Sequence, residues 1–170
     1  MTEPTMASET RTARRSLLDI LLIAFFAVNA TVVTYMIDLE QLVIADPSDF
    51  DYPLWPPAPV VDLVHWWGRT YDPLLLARPP FWRMTIWIDI LFFGPFYLAA
   101  LYAFIRRRNW IRVPALVWSG TMLANVLIIL MEEAYGEHAT DHFGMVLLAN
   151  ASWLLVPLLV IWRMRREPFG

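Results

Sequence analysis

Four apolar runs dominate this chain, and each is long enough to cross a lipid bilayer. A hydrocarbon core about 30 Å thick needs roughly 20 apolar residues at 1.5 Å each. The first run extends from about Leu17 to Ile37, the second from Met84 to Ile105, the third from Pro114 to Met131 and the fourth from Phe143 to Trp162. Only 17% of the 170 residues are charged, and the charges collect between the runs. The spacing predicts an all-α integral membrane protein, a four-transmembrane-helix bundle with a long outer loop. Ser16 and Asp19 stand as a capping box before the first run, and Pro114 suits the first turn of the third.

The flanks set an orientation. All thirteen basic residues are arginines. Arg11, Arg14 and Arg15 precede the first span; Arg106, Arg107, Arg108 and Arg112 lie between the second and third; Arg163, Arg165 and Arg166 follow the fourth. The link from Glu132 to His142 has four acids and no arginine. Arginine accumulates on the cytoplasmic side, so both termini are expected there. Residues 1–15 read as a disordered tail, 16–166 as one domain and 167–170 as a C-terminal tail. Arg14-Arg15 before Leu17-Leu18 has the outline of a twin-arginine signal. The run behind it is longer than a signal's apolar region and lacks a small-x-small cleavage site, so it reads as a retained helix.

The outer loop, about Asp38 to Arg83, is predicted to be extended and stiff from Pro53 to Pro59. A short interfacial helix should follow, with Val60, Val61, Val64 and Trp67 on one stripe. Such a loop suits a lid.

Ionisable groups inside a span are costly and point to function. Asp89 lies six residues past Arg83, about 9 Å along a helix. Asp38 closes the first span at similar depth, and the two acids are expected to meet, with Asp72 of the outer loop as a third member. In a dry site two such carboxyls share a proton, which assigns Asp89 as donor and Asp38 as anion. Asn29, Thr31, Thr34, Thr121, Asn125, Asn150 and Ser152 suit hydrogen bonds between helices. Gly94-Pro95 and Pro157 should bend the second and fourth helices. His138 and His142 would share a face if helical, but HExxH is missing and the stretch reads as a solvated loop. With no cysteine, thiolate chemistry is excluded. No serine elbow, phosphate loop or dinucleotide fingerprint occurs, and neither a cofactor, a metal nor a nucleic-acid partner is assigned.

Short pieces in order along the spans carry a resemblance. They are Met36-Ile37-Asp38-Leu39; Asp72-Pro73-Leu74-Leu75 and Pro79-Pro80; Asp89 followed by Pro95-Phe96; Tyr102-Ala103-Phe104; Trp110-Ile111-Arg112 with Pro114-Ala115; and Trp153-Leu154-Leu155-Val156-Pro157. From about Leu17 to Pro157 the chain resembles the EXPERA-domain membrane proteins, the sigma-2 receptor branch more than the emopamil-binding sterol isomerases. The resemblance implies a pocket for a sterol, another lipid or a hydrophobic amine. There Asp38 pairs the cation, a protonated Asp89 supports it, Asp72 shapes the site and Trp153 lies near the cation. Thr34, Asn125 and Asn150 align with pocket or packing positions. It also implies a homodimer. The expected location is a bacterial inner membrane or the endoplasmic reticulum, the first because the chain has no lysine. The chain departs from the family at Asp89, where Glu is usual, at Phe93, where the receptor branch often has an amide, and in having no histidine within a span. A binding protein is the leading expectation. A sterol or isoprenoid isomerase or cyclase, with Asp89 as general acid, is the alternative, and a structural scaffold the third.

Overall fold

The structure, a computed structural model, describes residues 16–169 and is all-helical there. The tail expected over residues 1–15 lies outside the described residues. Four helices are long and apolar enough to cross a membrane: α1 (Leu17–Val43), α4 (Pro80–Arg106), α5 (Asn109–Tyr135) and α6 (Phe143–Met164). Two shorter ones, α2 (Ala58–Thr70) and α3 (Leu74–Ala77), stand between α1 and α4. All four long helices exceed the runs read from apolar content; Glu40 and Gln41 in the added end of α1 and Glu133 in that of α5 turn inward. Leu21, Leu91, Leu127 and Leu155 face outward, as in helices whose surroundings are lipid.

The expected capping box forms by half. The Ser16 hydroxyl accepts the Asp19 N–H at 3.1 Å. The Asp19 carboxylate instead takes Arg163 of α6, Nε to Oδ1 at 2.9 Å. Arg112 donates to the Met164 carbonyl at 2.8 Å, and the Phe169 N–H reaches Asn109 at 2.9 Å. Phe169 also sets its ring edge-on to Phe104. These bonds gather the arginine-bearing ends of all four spans at one end of the bundle.

An aromatic cluster fills the half of the bundle next to that end. Phe26, Phe96, Tyr97 and Trp118 are buried together, with Phe96 and Trp118 stacked at 5.1 Å. Edge-to-face contacts with Phe26 complete the cluster, the geometry that aromatic quadrupoles favour.

Two spans leave α-helical geometry at mid-course. α1 is π-helical over Asn29–Asp38 and α4 over Asp89–Phe93. In α1 the Asn29 amide and the Thr31 hydroxyl donate to the carbonyls four residues back, Phe25 and Ala27, both at 2.8 Å. Such side-chain donors compete with backbone N–H groups. In α4 the cause is Pro95, whose ring cannot coexist with a regular bond to the carbonyl four residues earlier. The sequence placed a break at Gly94-Pro95; the wider winding of α1 was not foreseen. Pro157 sits within α6 without ending it.

The segment Pro53–Pro59 is not one extended run. It bends over residues 54–56, and Pro59 already belongs to the first turn of α2. The Trp55 indole donates to the Tyr35 carbonyl at 2.7 Å, satisfying an acceptor within the π-helical stretch of α1. α2 buries Val61, Val64, His65 and Gly68 against the bundle and leaves Leu63 and Trp66 outward.

Candidate functional site

The unusual windings coincide with a partly open cavity of about 330 Å³ lined by residues of α1, α2, α3, α4, α5 and α6. A volume of this size is typical of small-molecule sites. Its walls are largely apolar, with Ile37, Val64, Trp67, Leu75, Ile86 and Ile129 among them. α2 borders it through Val64 and Trp67.

Asp38 and Asp89 face each other at the wall of this cavity, each the hydrogen-bond partner of the other. They are 9% and 8% exposed. Asp38 does not close the first span, as its position after Ile37 had suggested: α1 continues to Val43, which places the acid inside the helix. Asp89 opens the π-helical stretch of α4 and Asp38 ends that of α1, so both change winding where they meet. The Thr34 hydroxyl, fully buried, donates to Asp89 Oδ1 at 2.8 Å. Thr34 therefore stands behind the acid pair and does not line the cavity.

The other residues singled out in the sequence also converge here. Asp72, Asn125, Asn150 and Trp153 line the same space. Trp153 is fixed by its indole N–H, which donates to Asn29 Oδ1 at 2.8 Å, and Asn150 donates to the Val146 carbonyl at 2.9 Å. Asp72 is anchored through Oδ1, which accepts the Leu75 N–H at 3.1 Å.

Several site residues were missed. Gln41 lines the cavity one turn beyond Asp38, and its Oε1 accepts the Trp82 indole N–H at 2.6 Å. Glu40 is fully buried and takes Arg78 Nη2 at 2.7 Å and His65 Nε2 at 2.9 Å. Asp38 and Gln41, three apart on one helix face, were the available signal. It was lost because the first span was ended at Ile37. Glu133, also fully buried, was read as part of a solvated acidic link.

His138 and His142 do not share a helix face. His138 Nδ1 bonds Glu132 at 2.8 Å, and His142 stands edge-on to Tyr71 in the turn before α6. Among the described residues no group of three or more His, Cys, Asp or Glu is arranged to hold a metal ion.

A multi-pass helical membrane protein with an acid-walled cavity between its spans is the class that this geometry defines. Residues 59–164 match the EXPERA (EXPanded EBP superfamily) family, and the chain belongs to it. It is 27% identical over 156 residues to Sigma intracellular receptor 2 of Xenopus tropicalis, which covers 85% of this chain and 86% of that protein. Sigma intracellular receptor 2 of Homo sapiens is 26% identical over 122 residues, 64% of this chain and 69% of its own.

Proposed function

We propose that this protein binds a sterol-like lipid or a hydrophobic amine in the cavity, with the Asp38–Asp89 pair as the polar anchor. The observation that carries the reading is the approach of these two carboxyls at the edge of an apolar space. An ionised carboxylate only accepts hydrogen bonds, so two carboxyls can bond to each other only when one holds a proton. The pair then presents one negative charge, which an ammonium group of a ligand neutralises. A hydroxyl is a weaker partner for the same acceptor. Thr34 holds Asp89 in place, Trp153 offers an aromatic face to the cation, and Asn125 and Asn150 add amide contacts.

The arginine-rich end of the bundle is assigned to the cytoplasm by the charge asymmetry of the links. The cavity then lies toward the opposite face, where α2 rests in the interface and lies over it.

The test is binding of a radiolabelled hydrophobic amine to detergent-purified protein, with Asp38→Asn and Asp89→Asn alongside. Saturable binding lost in folded Asp38→Asn protein is expected. Folded wild-type protein that binds nothing would overturn the reading. Conversion of an added sterol or isoprenoid, abolished by Asp89→Asn, would instead identify an isomerase or cyclase in which Asp89 is the general acid.

A further inference from the structure

The cavity has a second acidic pole. Asp72, 6% exposed, stands at its wall on the turn between α2 and α3. Behind it lies Glu133, from the last turn of α5, with no exposed surface. Both Glu133 carboxyl oxygens are sealed from solvent, and no N–H group or hydroxyl reaches either of them. The group they face is the Asp72 carboxyl.

Two neighbouring acids make this arrangement unusual. Glu132 is answered by His138, through its ring Nδ1 at 2.8 Å and its backbone N–H at 3.1 Å. Glu40, as deeply buried as Glu133, is answered by Arg78 and His65. The fold thus supplies a cation where it buries Glu40 and supplies none to Asp72 and Glu133. Among the described residues no arginine or histidine lines the cavity. An uncompensated buried charge is strongly unfavourable, so a carboxyl pair left this way keeps one proton between its members, and the single charge that remains is open to a counter-charge from outside the chain.

We propose that the cavity takes amphiphiles bearing two basic nitrogens, one held by Asp38–Asp89 and the other by Asp72, with Glu133 as the residue that positions Asp72. A carboxyl pair that shares one proton carries one negative charge, so two pairs match a dication and leave a monoamine with one pole unanswered. This inference rests on the amine-binding reading for the first pole and adds the second. It also gives α2 and α3 a role in selectivity, because the turn between them carries Asp72.

The test compares dodecylamine with its N-(aminopropyl) and N-(aminohexyl) derivatives. Each is titrated into wild-type protein in nanodiscs of zwitterionic lipid, with partition into protein-free nanodiscs subtracted. At least one diamine is expected to bind tenfold or more tightly than the monoamine. Asp72→Asn and the isosteric Glu133→Gln should each remove that gain, whereas Asp38→Asn should weaken all three ligands. Monoamine binding without any gain for a diamine would overturn the second pole and leave the first standing. Absence of binding by every amine would overturn both. A gain that survives in folded Asp72→Asn and Glu133→Gln proteins would also overturn the assignment. The wild-type comparison decides the proposal even if neither variant folds.

Discussion

Arg78 Nη2 lies against both carboxylate oxygens of Glu40, at 3.0 and 2.7 Å, in a contact sealed from solvent. The same guanidinium donates from Nη1 to the Ile44 carbonyl and from Nε to the Leu75 carbonyl. One side chain thereby ties the end of α1 to the segment between α3 and α4. Arg78 holds a left-handed backbone conformation, φ 48°, to make this reach.

Replacing Arg78 by Met would leave Glu40 buried and short of its main partner. Removal of one member of a buried ion pair costs about 3–5 kcal/mol. Arg78→Met protein is therefore expected to melt well below wild type in detergent. The double variant Glu40→Gln, Arg78→Met should recover part of the loss, because no charge is then stranded. A double variant less stable than Arg78→Met would contradict this.

Thr34→Val keeps the shape of the side chain and removes the donor to Asp89 Oδ1. An unsatisfied buried group costs about 1–3 kcal/mol. With 1.4 kcal/mol per tenfold in affinity, amine binding should fall by roughly tenfold. Competition binding measures it; unchanged affinity would remove Thr34 from the support of the acid pair.

A methyl group at Gly94 would come within 2.7 Å of the Tyr35 hydroxyl and 3.0 Å of Thr34 Cγ2. The Tyr35 hydroxyl is the free end of a long side chain and can swing away. Thr34 has less room, since it is buried and bonded to Asp89. Gly94→Ala is thus expected to lower ligand affinity more than melting temperature, a combination read from paired binding and thermal-shift curves.

In the outer loop the Tyr52 hydroxyl donates to Asp62 Oδ1 at 2.6 Å. That bond to Asp62, with smaller effects of desolvation and of the Asp62 charge, raises the Tyr52 phenol above its usual value of 10.0. A raised value in the folded state means that the bond contributes below the ordinary phenol value and is lost as pH climbs through the folded one. Ultraviolet titration should show a late-ionising tyrosine component that Asp62→Asn diminishes, as Tyr52 returns toward its normal range.

The four spans, their shared arginine end and the meeting of Asp38 with Asp89 were legible in the sequence. Hydropathy and the cost of intramembrane acids act locally and leave a clear pattern. The Glu40–Arg78–His65 cluster was not legible, because its members stand in the sequence among the other polar residues of the outer loop, where no membrane cost singles them out. Glu40 also looked like loop once the first span was ended at Ile37. Glu133 was hidden for a related reason: beside Glu132 and Glu137 it reads as one charge of a solvated link. Only the fold shows that Glu132 turns to His138 while Glu133 turns inward. The π-helical stretch of α1 had a faint signal in Asn29 and Thr31, each of which donates to a carbonyl of its own helix, while Asn29 also bonds between helices as expected, through the Trp153 indole.

That stretch makes the site depend on how many residues α1 contains as well as which ones. A π-helical segment is a helix holding a surplus residue, and one residue corresponds to about 100° of rotation in a regular α-helix. Deleting a single residue between Thr31 and Val33 would let α1 close into ordinary winding. Leu22 and Phe26 would remain seated in the aromatic cluster, while Asp38, Glu40 and Gln41 would swing together away from Asp89, Arg78 and Trp82. A relative one residue shorter in this helix would keep the bundle and lose the anchor, even with every acid still present in its sequence.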